Sequence, residues 1–183
     1  SLPAAYFRGL NFLLNEQHDK ALDVLVGALE SHGDTVEVQL ALGTLFRRRG
    51  ELERATTVHQ NLVAREGLEL SYRLQALFEL AQDYYKAGLL DRAENLLLQV
   101  RGGREMEESA NQLLLQIYDQ EKEWDRASSI ARSLQSFLNN GAFDGVIAQY
   151  QCEVAESAIA AGRYQTARSK VADALLADQD CVR

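Results

Sequence analysis

The sequence predicts an all-α repeat protein, and three observations support this fold class. There is one proline among 183 residues, whereas β proteins need turn residues at short intervals. Apolar residues recur at spacings of three and four, as in Leu22, Leu25, Val26 and Leu29, which is the period of an amphipathic helix. Finally, one pattern of small, aromatic, turn and alanine positions returns five times along the chain.

The repeat is marked by an alanine that recurs at steps of 34, 38, 34 and 40 residues: Ala21, Ala55, Ala93, Ala127 and Ala167. Twelve residues before each alanine the chain has Gly9, Gly43, Ala81, Leu115 and Ala155, of which four are small. Nine residues before each alanine, the chain has Phe12, Phe46, Tyr84, Tyr118 and Ala158, of which four are aromatic. Five residues before each alanine, the chain has Glu16, Gly50, Gly88, Lys122 and Gly162.

These positions have a common physical meaning in two helices joined by a turn. Two helices approach closely only where small residues face each other, so the small position and the alanine mark a helix crossing. The aromatic fills the space beside that crossing, and a glycine between the helices permits a left-handed turn. Each copy is therefore predicted to be one helix–turn–helix unit.

The pattern resembles the tetratricopeptide repeat, whose period is about 34 residues. The resemblance implies a solenoid of about five antiparallel helix pairs in a right-handed superhelix, forming a single array over residues 1–183. The approximate repeats are 2–34, 36–68, 74–104, 108–139 and 148–180. The chain stops where a next repeat should begin and carries no obvious polar capping helix, so we expect a fragment of a longer protein.

Composition argues against several classes of function. The net charge of −8 argues against nucleic acid, because phosphate contacts need a surplus of Lys and Arg. Apolar runs are far shorter than a membrane-spanning helix needs. Cys152 and Cys181 form no CxxC pair, and the three histidines form no HExxH or Cys–His arrangement, so we expect no metal site, no catalytic residue and no cofactor in this chain. His59 and Trp124 are predicted to be packing residues.

Three consecutive arginines, Arg47 to Arg49, end the first helix of the second repeat. Positive charge there complements the helix dipole, and Gly50 follows as the cap. The alternative interpretation is ligand contact, because a pair of arginines in a groove can bind an acidic group of a peptide.

First helices line the concave face of tetratricopeptide folds, so this resemblance also predicts which residues would meet a partner. The predicted partner-binding residues are Tyr6, Leu40, Arg47, Arg48, Phe78, Gln82, Tyr85, Lys86 and Gln116. Phe78 and Tyr85 are seven apart and share a helix face; the alternative is that one of them packs against the neighbouring repeat. The Lys and Asn set by which chaperone-binding members hold a C-terminal carboxylate is missing at the matching positions.

Longer stretches, above all LGTLFRRRGELERA and YYKAGLLDRAE, resemble the N-terminal repeats of the lipopolysaccharide assembly protein B (YciM) family, from about Tyr6 to Arg183. This resemblance implies a non-enzymatic adaptor whose repeats are cytoplasmic and tethered to the inner membrane by an N-terminal helix. A rubredoxin-like zinc domain would follow the repeats. The implied partners are the protease FtsH, the deacetylase LpxC and lipopolysaccharide transport components, and the implied role is to help FtsH control LpxC levels.

The alternative function is a peptide-binding repeat module of another assembly, such as a glycosyltransferase or a secretion complex. Neither interpretation assigns membrane insertion to this chain, and both leave a homodimer open. A membrane helix and a zinc ribbon in the full-length protein would favour the adaptor.

Overall fold

A computed structural model describes residues 35–102, 106–138 and 141–178, together with Arg8, Gly9, Asn11, Lys20, Val24 and Gly27. Tyr6, most of the first predicted repeat and Cys181 lie outside the described residues. The chain divides into two compact units, Ser1–Gly103 and Arg104–Arg183. Within the described residues every regular element is helical, which confirms the predicted all-α class.

The first unit contains two helix pairs. They are α1 (Val36–Arg48), α2 (Leu52–Ala64), α3 (Leu70–Lys86) and α4 (Leu90–Val100). Each helix packs against the next, and α1 also touches α3. The core between the pairs includes a cluster of Leu40, Leu62 and Ala76, so residues of three helices meet there.

The second unit repeats this arrangement. Its helices are α5 (Glu107–Gln120), α6 (Trp124–Leu138), α7 (Asp144–Ala160) and α8 (Tyr164–Ala177), with a short 3-10 turn at Gly141–Phe143. Again each helix packs on its successor. The core of the last pair includes a cluster of three alanines, Ala155, Ala158 and Ala167, so small residues form much of the contact between α7 and α8.

The repeat alanines lie where the sequence predicts a crossing. Ala55, Ala93 and Ala127 are fully buried and Ala167 nearly so. Gly43 shows how close the helices come: a Cβ there would stand 2.6 Å from Cε1 of His59 on α2. No side chain can occupy that space without displacing the imidazole.

Leu115 is the exception at the small position, and the residue at the matching place on the second helix is small instead. The residue four after the repeat alanine is His59, Leu97, Ala131 and Val171 in the four described pairs. With the residue at the small position, these form the pairs Gly43/His59, Ala81/Leu97, Leu115/Ala131 and Ala155/Val171. By repeat position, the larger residue of the pair is on the first helix in Leu115/Ala131 and on the second helix in the other three pairs.

The four turns that join the two helices of each described pair share one geometry, although only three of them have glycine at the left-handed position. Gly50, Gly88 and Gly162 have φ near +75°, and Lys122 takes the same left-handed region at φ 59. After each turn residue, the next N–H bonds to a carbonyl five residues back, as in Glu51 to Phe46 (2.9 Å) and Glu123 to Tyr118 (2.8 Å). This is a Schellman cap, and it confirms the predicted turn positions.

Replacing Lys122 with glycine is expected to raise the free energy of unfolding by about 0.5–1 kcal/mol. A left-handed backbone strains any residue with a Cβ by about 1–2 kcal/mol, part of which glycine's greater unfolded-state entropy offsets. Urea denaturation followed by circular dichroism measures the gain. Gly88→Lys is the matched reverse change and should lose about as much; a destabilised Lys122→Gly would contradict the turn argument.

A cation over a ring accompanies three of the turns. Arg54 lies over Phe46, with its guanidinium carbon 3.9 Å from the ring centre. Arg92 over Tyr84 and Arg126 over Tyr118 repeat the contact at 5.7 and 4.2 Å. The last pair has Ala158 and Thr166 in these positions, so it lacks the ring and the cation together.

Candidate partner-binding surface

Polar contacts join the first helices of the two pairs in the first unit. Near the start of α1, the hydroxyl of Tyr72 donates to Glu37 and lowers the pKa of that carboxyl. About two turns further on, the hydroxyl of Thr44 donates to Glu79 at 3.2 Å. These contacts hold α1 and α3 side by side.

Arg47 lies at the centre of these polar contacts, which we call the seam between α1 and α3. Its guanidinium reaches Glu79 at 2.5 Å and Asp83 at 2.8 Å, and only 9% of its side chain is exposed. Burial opposes the charge, but the two carboxylates outweigh it and raise the pKa of Arg47 above its ordinary value. Arg47 is therefore held within the protein by two carboxylates, with little of its side chain open to a partner.

Beneath Arg47, the second oxygen of Asp83 accepts from Nδ1 of His59 at 2.5 Å. Both side chains are fully buried, and Nε2 of His59 has no hydrogen-bond partner among the described residues. The three groups form a buried chain from α1 through α3 to α2. His59 is a packing residue, as predicted, but it is also part of a charged network that we did not predict.

Repetition in the sequence does contain a signal for this network. Asp83 occupies the repeat position that Leu45 and Ile117 fill with fully buried side chains. His59 likewise stands where Leu97 and Ala131 are buried. Two polar residues in neighbouring repeats, both at core positions, predict a buried pair, because a buried polar group needs a partner.

Leu40 is the second predicted contact residue that lies mostly inside the protein. It is 6% exposed and packs with Leu62 and Ala76. A residue on α1 is covered here because α3 lies across it, so assigning the concave face from repeat position alone placed an apolar core residue in the groove.

The remaining predicted residues are accessible in part. Phe78, Gln82 and Tyr85 are half-buried on α3, and Arg48 and Lys86 are exposed at the ends of α1 and α3. Together these five side chains form what we call the basic–aromatic strip. Gln116 is exposed on α5, in the second unit, and Tyr6 lies outside the described residues.

The corresponding surface of the second unit has different chemistry. The hydroxyl of Tyr150 donates to Asp119 at 3.1 Å, and Trp124 stacks on the Tyr150 ring with centroids 5.7 Å apart. Trp124 is thus a packing residue, as predicted. Burial, helped by Asp119, raises the pKa of Tyr150 to about 12.

Tyr150 should consequently ionise above the ordinary tyrosine pKa of about 10. Because the folded-state pKa is raised, the stability linked to this hydroxyl is present below about pH 10 and is lost as pH rises towards 12. Tyrosinate absorbance during alkaline titration measures this, with Tyr150→Phe removing the late component. A late component that persists in Tyr150→Phe would assign it to another tyrosine.

Two features bear on other kinds of site. Among the described residues, no cluster of three or more His, Cys, Asp or Glu side chains is arranged to hold a metal ion. Over the same residues, no helix combines the length and apolarity needed to cross a bilayer.

Comparison with known proteins confirms the resemblance noted from the sequence. The chain is 38% identical over 178 residues to lipopolysaccharide assembly protein B of Escherichia coli K12. It is 37% identical over 187 residues to the protein of that name in Haemophilus influenzae Rd. Each match covers 97% of this chain and 46% of the relative, so the chain spans about half the length of these relatives. No protein-family profile matches the chain.

Solved structures confirm the repeat fold. A MamA chain (AMB-1) superposes with a TM-score of 0.64 at 17% identity, covering 98% of this chain and all of the other. TTC0263, a thermophilic TPR protein of Thermus thermophilus, gives 0.62 at 18% identity, covering 96% and 91%. At such low identity the likeness concerns the fold alone, and that fold is the tetratricopeptide-repeat solenoid.

Proposed function

We propose that this chain is a non-catalytic protein-interaction scaffold in lipopolysaccharide assembly. The observation that supports the proposal most is the 38% identity to lipopolysaccharide assembly protein B over 97% of the chain. The repeat fold supports it independently, since such arrays present extended surfaces on which other proteins bind.

The finer proposal is that the chain acts at the cytoplasmic face of the inner membrane. There it would help the protease FtsH control the level of LpxC, or act with lipopolysaccharide transport components. Partners would bind the basic–aromatic strip and the surface around Gln116. The proposal requires neither a zinc site nor a lipid-binding site within these 183 residues.

A chimera tests the function. The matching part of E. coli lipopolysaccharide assembly protein B is replaced by this chain, and the chimera is expressed in cells depleted of the native protein. We expect growth and LpxC levels to return towards normal, whereas a chimera with a repeat array of MamA in the same place should fail. A folded, well-expressed chimera of this chain that fails equally would contradict the proposal and favour a module of another assembly.

A turnover assay addresses catalysis. Purified chain is tested for deacetylase, glycosyltransferase and nucleotide-hydrolysing activity, and none is expected. Activity abolished by a point change in the basic–aromatic strip would contradict the scaffold proposal.

A further inference from the structure

A pocket opens in the second unit between its two second helices, α6 and α8. Its volume is about 340 Å³, at the small end of the range for ligand sites, roughly 300–1,000 Å³. Three helices each supply side chains three residues apart, so each presents one face to the pocket. The lining includes Arg132 and Gln135 of α6, Asp144 and Ile147 of α7, and Asp173 and Leu176 of α8.

The burial of the lining residues shows the depth of the pocket. Ile147 is buried and lies at the base, whereas Arg132 is exposed and Leu176 is 84% exposed, so these two lie at the rim. Asp144 and Asp173 are half-buried and lie between base and rim. Because α7 contributes only its first turn, the pocket is separate from the surface that the first helices of the pairs form.

The charges around the pocket are not matched within the protein. Gln135 donates through Nε2 to Oδ1 of Asp144 at 2.6 Å, but this amide is neutral. Among the described residues, none of Arg132, Asp144 and Asp173 has an ion-pair partner. Two half-buried carboxylates therefore line one small space without a cation paired to either. A charge withdrawn from water is stabilised by a partner of opposite sign.

Comparison of the repeats indicates that packing does not require these two carboxylates. In the first unit the same repeat positions carry Leu70 in place of Asp144 and Gln99 in place of Asp173. No other copy of the repeat has Asp or Glu at either position. Residues that the fold needs, such as the buried alanines, recur in every described pair. A role in binding accounts for the carboxylates better than a role in folding.

From this pocket we infer that the second unit binds a protein partner through one lysine or arginine side chain that has an acidic residue beside it. The cation pairs with the carboxylates of Asp144 and Asp173, and its aliphatic stem lies against Ile147 and Leu176. The neighbouring carboxylate of the partner meets the guanidinium of Arg132 at the rim. This inference rests on the proposed scaffold function and names the chemistry of one partner.

Other ligands complement the pocket less well. The two carboxylates repel phosphates, which argues against nucleic acid and anionic lipid. A simple polyamine could pair with the carboxylates, but it has no anionic group for Arg132. A basic side chain with an acidic neighbour complements all three charges.

Selection from a displayed library of random peptides tests the inference without a known partner. We expect peptides retained by the wild-type chain to be enriched in Lys or Arg with Asp or Glu close beside it. A synthetic copy with both termini blocked should bind more weakly as ionic strength rises. Asp173→Lys should weaken its binding about tenfold or more, because the variant places an ammonium of the chain itself beside Asp144. Replacing the basic residue of the peptide with norleucine, which keeps an aliphatic stem without the charge, should weaken binding as much.

Asp91→Lys is the matched control, because it is the same substitution at an exposed position in the first unit. It should leave peptide binding unchanged. Arg132→Gln should yield selected peptides that keep the basic residue and lose the acidic one, and circular dichroism checks that each variant is folded. No enrichment of basic residues, equal loss in Asp91→Lys, or binding that survives norleucine would overturn the inference. So would Asp173-dependent binding of spermidine without peptide binding.

The chimera separates this inference from the proposed function. Restored growth with the wild-type chain, lost with Asp173→Lys and kept with Asp91→Lys, supports both. Restored growth with both variants retains the scaffold function and overturns the inference that a partner binds this pocket. Failure of every chimera, beside the expected peptide selection, contradicts the proposed function alone.

Discussion

Replacing Arg47 with glutamate is expected to lower the free energy of unfolding by about 3–5 kcal/mol, the usual cost of breaking a buried ion pair. The change removes the partner of Asp83 and Glu79, which lie 2.8 and 2.5 Å from the guanidinium. It also adds a third carboxylate to a site that is mostly closed to water. Urea denaturation followed by circular dichroism measures the loss.

Arg48→Glu provides the control, because it is the same substitution one residue further along α1 at an exposed position. A change at an exposed charge should alter stability by no more than about 1 kcal/mol. Equal losses in the two variants would show that Arg47 contributes only as a helix-terminal charge. Because Arg47→Glu disrupts the fold, it is unsuitable as a probe of partner binding.

Replacing Gly43 with leucine is expected to cost about 3 kcal/mol, the upper part of the range for overpacked cores. Its Cβ would enter the space of the His59 imidazole, which leaves no room for it. His59→Ala alone should also destabilise, because it opens a cavity and removes the donor to Asp83. The two single variants therefore lose stability for opposite reasons. Gly43→Leu has too much side-chain volume at the crossing, and His59→Ala has too little.

The double variant Gly43→Leu with His59→Ala should be more stable than the sum of the two losses allows, by about 1–3 kcal/mol. It transplants the Leu115/Ala131 pair of the second unit into the first. Thermal and urea unfolding of all four proteins completes the cycle. Additive losses would show that the two positions do not share one volume.

Much of the fold could be predicted from the sequence because the repeat displays its own rules several times. Alanine returns at each crossing, and a left-handed residue returns at each turn, so Lys122 could be placed by its neighbours Gly88 and Gly162 although lysine itself disfavours that backbone. A single copy of the repeat would not have been enough to place these crossing and turn positions. The copies could be compared with one another within the same chain.

The surface could be predicted less well, for a physical reason. Repeat position predicts the direction in which a side chain projects from its own helix. It does not predict which residues of the next helix contact that side chain. Arg47 meets carboxylates 32 and 36 residues further along the chain, and Leu40 is covered by Ala76 of the next pair. Phe78, Gln82 and Tyr85 on α3 are half-buried, and Lys86 is exposed.

The alanine-rich contact between α7 and α8 implies an uneven exchange of backbone amides with solvent. Ala158 stands where Phe46, Tyr84 and Tyr118 stand in the other pairs, so the ring found at three turns is missing here, and the cation is missing with it. Val171, Leu175 and Leu176 on α8 are 43%, 47% and 84% exposed, so they add little burial. Because local opening costs less where less apolar surface is buried, amides of α8 should take up deuterium before those of α6. Within the second unit, unfolding would then begin at α8 and proceed towards α5.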